Sequence, residues 1–178
     1  MSIPNYLTLF RIILTPVFVT VLISYGPGKE HLRVWALVIF IIAALTDALD
    51  GILARVLNQK THLGQILDPV ADKLLLLGGY IGLLFAEPLL YHPPLWVTIT
   101  IIFRDLVLTV GFFTLHMLHV PVDPQPNLLG KLTTTFQMVL LAFILFEWRA
   151  SVPLAYLTGF VTILSGIVYV MKGLKRIP

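Results

Sequence analysis

The stretch Ile39-Phe40-Ile41-Ile42-Ala43-Ala44-Leu45-Thr46-Asp47-Ala48-Leu49-Asp50-Gly51-Ile52-Leu53-Ala54-Arg55 decides the fold. An unbroken apolar run leads into two aspartates three residues apart. The surrounding segment, from about Leu32 to Leu57, is long enough for a helix to cross a hydrocarbon core, which takes about 20 residues. Five more stretches of that kind follow from the same reading: about Tyr6 to Tyr25, Leu63 to Ala86, Leu95 to Leu118, Leu128 to Phe146 and Val152 to Met171. The breaks between them carry turn chemistry: Gly26-Pro27-Gly28, Glu87-Pro88, His92-Pro93-Pro94, and the three prolines of Val120 to Pro126, which cannot sit in a helix interior.

Composition agrees. Apolar residues make up 58% of the 178 and charged residues 12%, against about 25% charged in soluble domains. Mean hydropathy is +0.94. Twelve Lys and Arg with nine Asp and Glu cannot wet a soluble globule of this size. Disorder, coiled coil and nucleic-acid binding are excluded on the same grounds. The lack of cysteine removes disulfides, thiolate metal sites and cysteine nucleophiles. The expected fold is an all-α integral membrane protein, a single domain over 1–178 with six transmembrane helices in one bundle. Met1 to Tyr25 does not read as a signal peptide, since Arg11 falls inside its apolar stretch and no Ala-x-Ala site follows.

Six crossings put both termini on one side. Arg11, Arg55, Lys60, Lys131, Lys172, Lys175 and Arg176 lie on that side, against Lys29, Arg33 and Arg149 on the other. By the positive-inside rule both termini are cytoplasmic. Gly78 and Gly82 form a small-xxx-small pair, which serves packing within the bundle or a homodimer contact equally well. His116 and His119 sit near a helix end and read as interfacial.

Asp47 and Asp50 end one apolar run, and Asp68 and Asp72 open the next. An aspartate at a helix centre costs about 2.5–3.5 kcal/mol on insertion scales, so intramembrane carboxylates are functional candidates by default. Residues three or four apart share a helix face, so each pair faces one way. The short connection predicts antiparallel neighbouring helices, with both pairs near one membrane surface. Four carboxylates around one cleft need a cation. With oxygen donors only, that cation is hard: Mg²⁺ or Mn²⁺, with Ca²⁺ a third candidate. Two ions suit four aspartates, and two-metal sites serve in-line phosphoryl displacement. Gly51 and Ala54 leave room for a bulky ligand, Gly64 allows close backbone approach to a phosphate, and Arg55 can pair with phosphate oxygens.

Together these residues read Asp47-x-x-Asp50-Gly51-x-x-Ala54-Arg55, then eight residues, then Gly64-x-x-x-Asp68-x-x-x-Asp72. This resembles the signature of the CDP-alcohol phosphotransferase family, with eight specified residues filled over 26 positions. Pro4 to Arg11, Leu67 to Lys73 and the Gly130-Lys131-x-Thr133-Thr134-Thr135-x-Gln137 motif are similar to the family's phosphatidylglycerophosphate synthases. The resemblance implies a bacterial-type inner-membrane enzyme with its active site facing the cytoplasm. It would transfer a phosphatidyl group from CDP-diacylglycerol to glycerol-3-phosphate and release CMP. It also implies roles: Asp47, Asp50, Asp68 and Asp72 as metal ligands, Asp72 as the general base, and Asn5, Thr8, Gly51, Ala54, Arg55 and Gly64 in the CDP-lipid site. Arg104 and Lys131 are the cations that suit the acceptor phosphate, although Arg104 can instead pair with Asp105.

Two alternatives stand beside this reading. Thr133 and Phe112 occupy positions where the family's bacterial glycerophosphate enzymes usually carry further cations. Arg104-Asp105-Leu106-x-Leu108-x-x-Gly111 with a single Lys131 also resembles the family's eukaryotic-type cardiolipin synthases, whose acceptor is phosphatidylglycerol. A cation transporter would explain intramembrane aspartates too, but the chain has no internal repeat.

Overall fold

The computed structural model describes residues 3–56, 62–117 and 128–174; within these, the side chains of 3–5, 48–56, 62–69, 112–113, 115–116 and 172–174 lie outside the description. All the elements are helices: α1 (Ile3–Ile23), α2 (Glu30–Val56), α3 (His62–Leu83), α4 (Leu95–Met117), α5 (Leu128–Leu145) and α6 (Ser151–Leu174). Each matches one of the apolar stretches to within a few residues. The chain divides into two compact units, Met1–Leu90 with Leu145–Glu147, and Tyr91–Ile144 with Trp148–Pro178.

The first unit is built on α1. Its buried stripe is Thr8, Arg11, Thr15, Phe18 and Leu22, spaced three and four apart as one helix face requires. The opposite face exposes Tyr6, Leu9, Phe10, Ile13 and Val17. The helix thus turns its one charge inward and large apolar side chains outward, the reverse of a water-soluble helix. α1 packs against both α2 and α3, while α2 and α3 touch each other little. The pairings below make α2 and α3 antiparallel, as the sequence pattern predicts, and among the described residues α1 provides most of the surface that each one packs on. Directions follow from the pairings. Arg11 meets Asp47 and Phe18 meets Phe40, with ring centroids 5.7 Å apart, so α1 and α2 are antiparallel. Arg11 meets Asp72 and Leu22 lies against Gly82, so α1 and α3 are parallel.

The small-residue pair has a definite use. A methyl carbon at Gly78 would lie 2.7 Å from Val19 Cγ2, and one at Gly82 would lie 2.8 Å from Leu22 Cδ2. Both glycines thus face α1, and the close approach is spent inside the unit rather than on a second copy.

In the second unit α4 packs against α6. Gly159 lies under Trp96 and Val97, Gly166 under Arg104, and Gly111 against Tyr169, so α4 and α6 run parallel. Gln137 Nε2 on α5 donates to Thr162 Oγ1 on α6 at 3.4 Å. The end of α5 is closed by Trp148 N–H donating to Phe143 C=O at 2.9 Å, with Glu147 left-handed at φ 56°. The rings of Phe143 and Trp148 meet at 4.5 Å, completing the terminal motif that usually employs glycine at the left-handed position. Glu147 stays there because its carboxylate is used. It belongs to the first unit, where it accepts from Leu90 N–H at 3.3 Å and pairs with Arg33 at 3.5 Å, while Arg33 Nη1 donates to Leu145 C=O at 2.6 Å.

Among the described residues, three helices, over Tyr6–Ile23, Leu128–Leu145 and Ser151–Met171, are long and apolar enough to cross a membrane. α2, α3 and α4 have comparable lengths of 27, 22 and 23 residues. They also carry internal charges, among them Asp47, Asp72 and the Arg104–Asp105 pair.

Candidate active site

The site begins with a charge inside an apolar helix. Arg11 is fully buried on α1, one turn from Thr8 and one turn from Thr15, which are buried too. An isolated guanidinium removed from water costs several kcal/mol, so it must have counter-charges. Two helices supply them. The same terminal nitrogen, Nη1, pairs with Asp47 Oδ1 from α2 and with Asp72 Oδ1 from α3. The Asp47 and Asp72 side chains are 28% and 34% exposed, so each carboxylate touches the buried cation and still faces accessible space. Thr46, beside Asp47, turns its hydroxyl back to Ile42 C=O at 2.6 Å and leaves the aspartate free to point toward α1.

Two of the four expected aspartates are therefore brought to one point. Asp50 and Asp68 lie on the same helices, three residues after Asp47 and four before Asp72. Their side chains, with those of Asn5, Gly51, Ala54, Arg55 and Gly64, lie outside the described residues. Among the described residues no three His, Asp or Glu side chains gather as a metal-binding group. The donor set still fits a hard divalent ion. Two carboxylate oxygens from different helices already converge on one positive atom, and they are the oxygen ligands such an ion takes.

Arg11 is the residue that sequence reasoning missed. The sequence reads it only as one of the charges on the side of the termini, and the structure shows that it is also buried within the protein. The signal was available: a charge well inside an apolar run, with no acidic residue in its own helix.

The two acceptor candidates differ. Arg104 is buried, donating from Nη1 to Asp105 at 2.7 Å and from Nη2 to Ser165 at 2.9 Å. This is the pairing that the sequence leaves open for it. The guanidinium stem also lines an apolar groove of about 460 Å³ with Phe103, Thr162, Ile163, Gly166 and Tyr169. Lys131, in the first turn of α5, is exposed. Thr133 and Gln137, also part of the α5 motif, are buried in the unit.

Residues 1–170 match the family model described as CDP-alcohol phosphatidyltransferase. The chain belongs to that family. Among curated relatives, it is 42% identical to the CDP-diacylglycerol–glycerol-3-phosphate 3-phosphatidyltransferase of Salmonella typhimurium, over 87% of this chain and 81% of the relative. It is 38% identical to the enzyme of the same name from Escherichia coli, with the same coverage. It is 33% identical to a CMP-forming cardiolipin synthase of Streptomyces coelicolor, over 97% of this chain and 82% of the relative. In this CDP-alcohol phosphatidyltransferase, the convergence of α2 and α3 on Arg11 puts the first and last aspartates of the signature together across a sequence separation of 25 residues.

Proposed function

We propose that this chain transfers the phosphatidyl group of CDP-diacylglycerol to glycerol-3-phosphate, giving phosphatidylglycerophosphate and CMP. The observation that carries the reading is the meeting of Asp47 and Asp72 at one buried cation, in a chain with relatives at 38% and 42% identity that bear that enzyme's name. Asp47, Asp50, Asp68 and Asp72 would hold one or two Mg²⁺ or Mn²⁺ ions. Such ions supply neutralisation of the diphosphate and stabilise the charge that develops on departing CMP.

The chain's own residues do the rest. Asp72 accepts the proton of the acceptor hydroxyl as its oxygen bonds to the phosphatidyl phosphorus, and the bond from that phosphorus to the bridging oxygen of CMP breaks. Asn5, Thr8, Gly51, Ala54, Arg55 and Gly64 line the nucleotide and diphosphate, with the two small residues leaving room. Lys131 takes the acceptor phosphate, and its exposure keeps it available. Arg104 would join it only by exchanging Asp105 or Ser165, so the acceptor reading leans on Lys131.

We read all six helices as crossings, because the inward-facing charges of α2, α3 and α4 have partners within the protein. Without buried Arg11, six of the counted cations remain on the side of the termini against three opposite, which still favours cytoplasmic termini and an active site open to that side.

A second reading has its own support. The cardiolipin synthase relative aligns over more of the chain, and Arg104 is engaged with Asp105, leaving fewer cations for a dianionic acceptor. One experiment separates the two: purified protein in detergent with saturating CDP-diacylglycerol, competing glycerol-3-phosphate and phosphatidylglycerol, and products identified by mass spectrometry. Phosphatidylglycerophosphate with equimolar CMP supports the first reading. Cardiolipin with glycerol-3-phosphate ignored establishes the second, and no CMP release with either rejects both.

A further inference from the structure

We propose that Arg11 is a positioning residue, a counter-cation built into α1 that orients the Asp47 and Asp72 carboxylates and competes with a divalent ion for their oxygens. The proposal rests on the metal reading given above and adds to it what controls metal affinity.

The geometry of the contact is the first argument. An arginine usually grips one carboxylate with two parallel bonds. Among the described contacts, one atom, Nη1, reaches an oxygen of each of two acids on two helices. It sits where a point cation would sit. The guanidinium therefore fixes the relative position of both carboxylates rather than the rotamer of one.

Burial is the second. Arg11 is 0% exposed and lies on the inward stripe of α1 between Thr8 and Thr15. Well-packed apolar side chains commonly replace a buried ion pair without loss of stability, so burial of this charge is poorly explained by packing alone. Its position is explained if it balances the aspartates. α1 is also the helix that packs on both α2 and α3, which lets it bring one cation to both of them.

Charge is the third. A divalent ion approaching the same two oxygens meets a positive charge in contact with both of them. Repulsion at that range, even at the effective dielectric of a protein, is large. Ion binding and the Arg11 contacts are then alternatives for those oxygens, and the affinity measured for the metal already includes the cost of displacing the arginine.

The test uses the full-length protein in detergent, with Mn²⁺ as the probe. Unfolding midpoints are measured in chelator and across a Mn²⁺ titration for wild type, Arg11→Gln and Arg11→Lys, and Mn²⁺ binding is read independently by electron paramagnetic resonance. The Gln variant is expected to lose several degrees in chelator and to recover most of that loss with Mn²⁺. Its half-saturating Mn²⁺ concentration should fall roughly 10-fold, because one repelling charge is gone. The Lys variant, which keeps the charge, should stay within about threefold of wild type in Mn²⁺ affinity. A Gln variant that loses stability equally with and without Mn²⁺, that binds Mn²⁺ no more tightly than wild type, or that folds at no Mn²⁺ concentration overturns the proposal and leaves Arg11 as a purely structural residue. A Lys variant that fails to fold overturns it as well. A wild-type protein that neither binds Mn²⁺ nor is stabilised by it overturns the metal reading itself, and this proposal with it.

Discussion

At the scale of single residues, the aspartates and the cations make separable predictions. Asp47→Asn keeps the shape and removes the charge that a hard ion needs, so CMP release should fall below detection while the protein still extracts and runs as a folded species. Asp72→Asn tests the proton-acceptor role. It should lower kcat by about 10²–10⁴-fold, with a much smaller change in KM for the CDP-lipid. Equal loss of donor binding would make Asp72 chiefly a ligand. Lys131→Ala should raise KM for glycerol-3-phosphate by roughly 10- to 150-fold and spare the donor, since a charge-assisted hydrogen bond contributes about 1.5–3 kcal/mol. Arg104→Ala should behave differently. It removes the guanidinium that pairs with fully buried Asp105, and breaking a buried pair costs roughly 3–5 kcal/mol. The loss should appear as a lowered unfolding midpoint before any change in acceptor KM. The aspartates were legible from sequence because a carboxylate in an apolar run is expensive and their spacing is helical. Arg11 obeys the same rule, but a single cation near a chain end also fits a membrane interface, and only the meeting of three helices separates the two.

At the scale of elements, helix positions and the antiparallel course of α2 and α3 were legible, and the place of α1 against both was not. Gly26-Pro27-Gly28 and the proline-rich breaks mark ends by local backbone chemistry, which sequence carries directly. That α1 lies against both α2 and α3 depends on side chains far apart in the chain: Val19 with Gly78, Leu22 with Gly82, Arg11 with two aspartates. The left-handed Glu147 was hidden for a related reason, because its compensation comes from Arg33 and Leu90. The α1–α3 contact gives a direct test. Gly78→Ala must displace Val19, whose β-branched side chain is stiff, and should destabilise by about 1–3 kcal/mol. Val19→Ala in the same chain should recover most of that, and the loss should not depend on protein concentration, as it would for a dimer contact. The turn after α1 gives a pH dependence. Tyr25 O–H donates to Glu30 at 3.1 Å. Burial first, then this bond and the neighbouring Glu30 charge, pushes the phenol above its ordinary value. The folded state thus holds that proton more tightly than the unfolded chain. The stabilisation is complete below the ordinary phenol value and is lost as pH rises through the raised one. Wild type should lose more stability than Tyr25→Phe in strongly alkaline solution, with no difference in their pH dependence near neutrality.

At the scale of the whole molecule, the distribution of burial is what makes this a membrane protein. Thr8, Arg11, Asp105, Gln137 and Ser165 are buried, while Phe85, Phe103, Trp148 and Phe160 are exposed. Composition made that class legible, because so few charges cannot cover a water-facing surface. The ion-transporter alternative loses its footing with membership of a family of phosphatidyltransferases. The six-crossing reading predicts that a reporter fused after Pro178 and one fused before Met1 are both active only in the cytoplasm, and that one placed at Gly28 is active only outside. A reporter at Pro178 active outside would remove one crossing from the scheme. The burial of Arg11 also has a consequence for how the chain is made. Asp72 follows Arg11 by 61 residues, so α1 leaves the ribosome well before either of its carboxylate partners has been synthesised. A lone arginine near a helix centre costs about 2.5–3.5 kcal/mol on insertion. On the six-crossing reading, the first helix therefore enters the bilayer before α2 and α3 bring the carboxylates that Arg11 meets. On that reading, a chain truncated before residue 72 lacks the Arg11–Asp72 contact, and its first helix should be extracted from membranes more readily than that of the full chain.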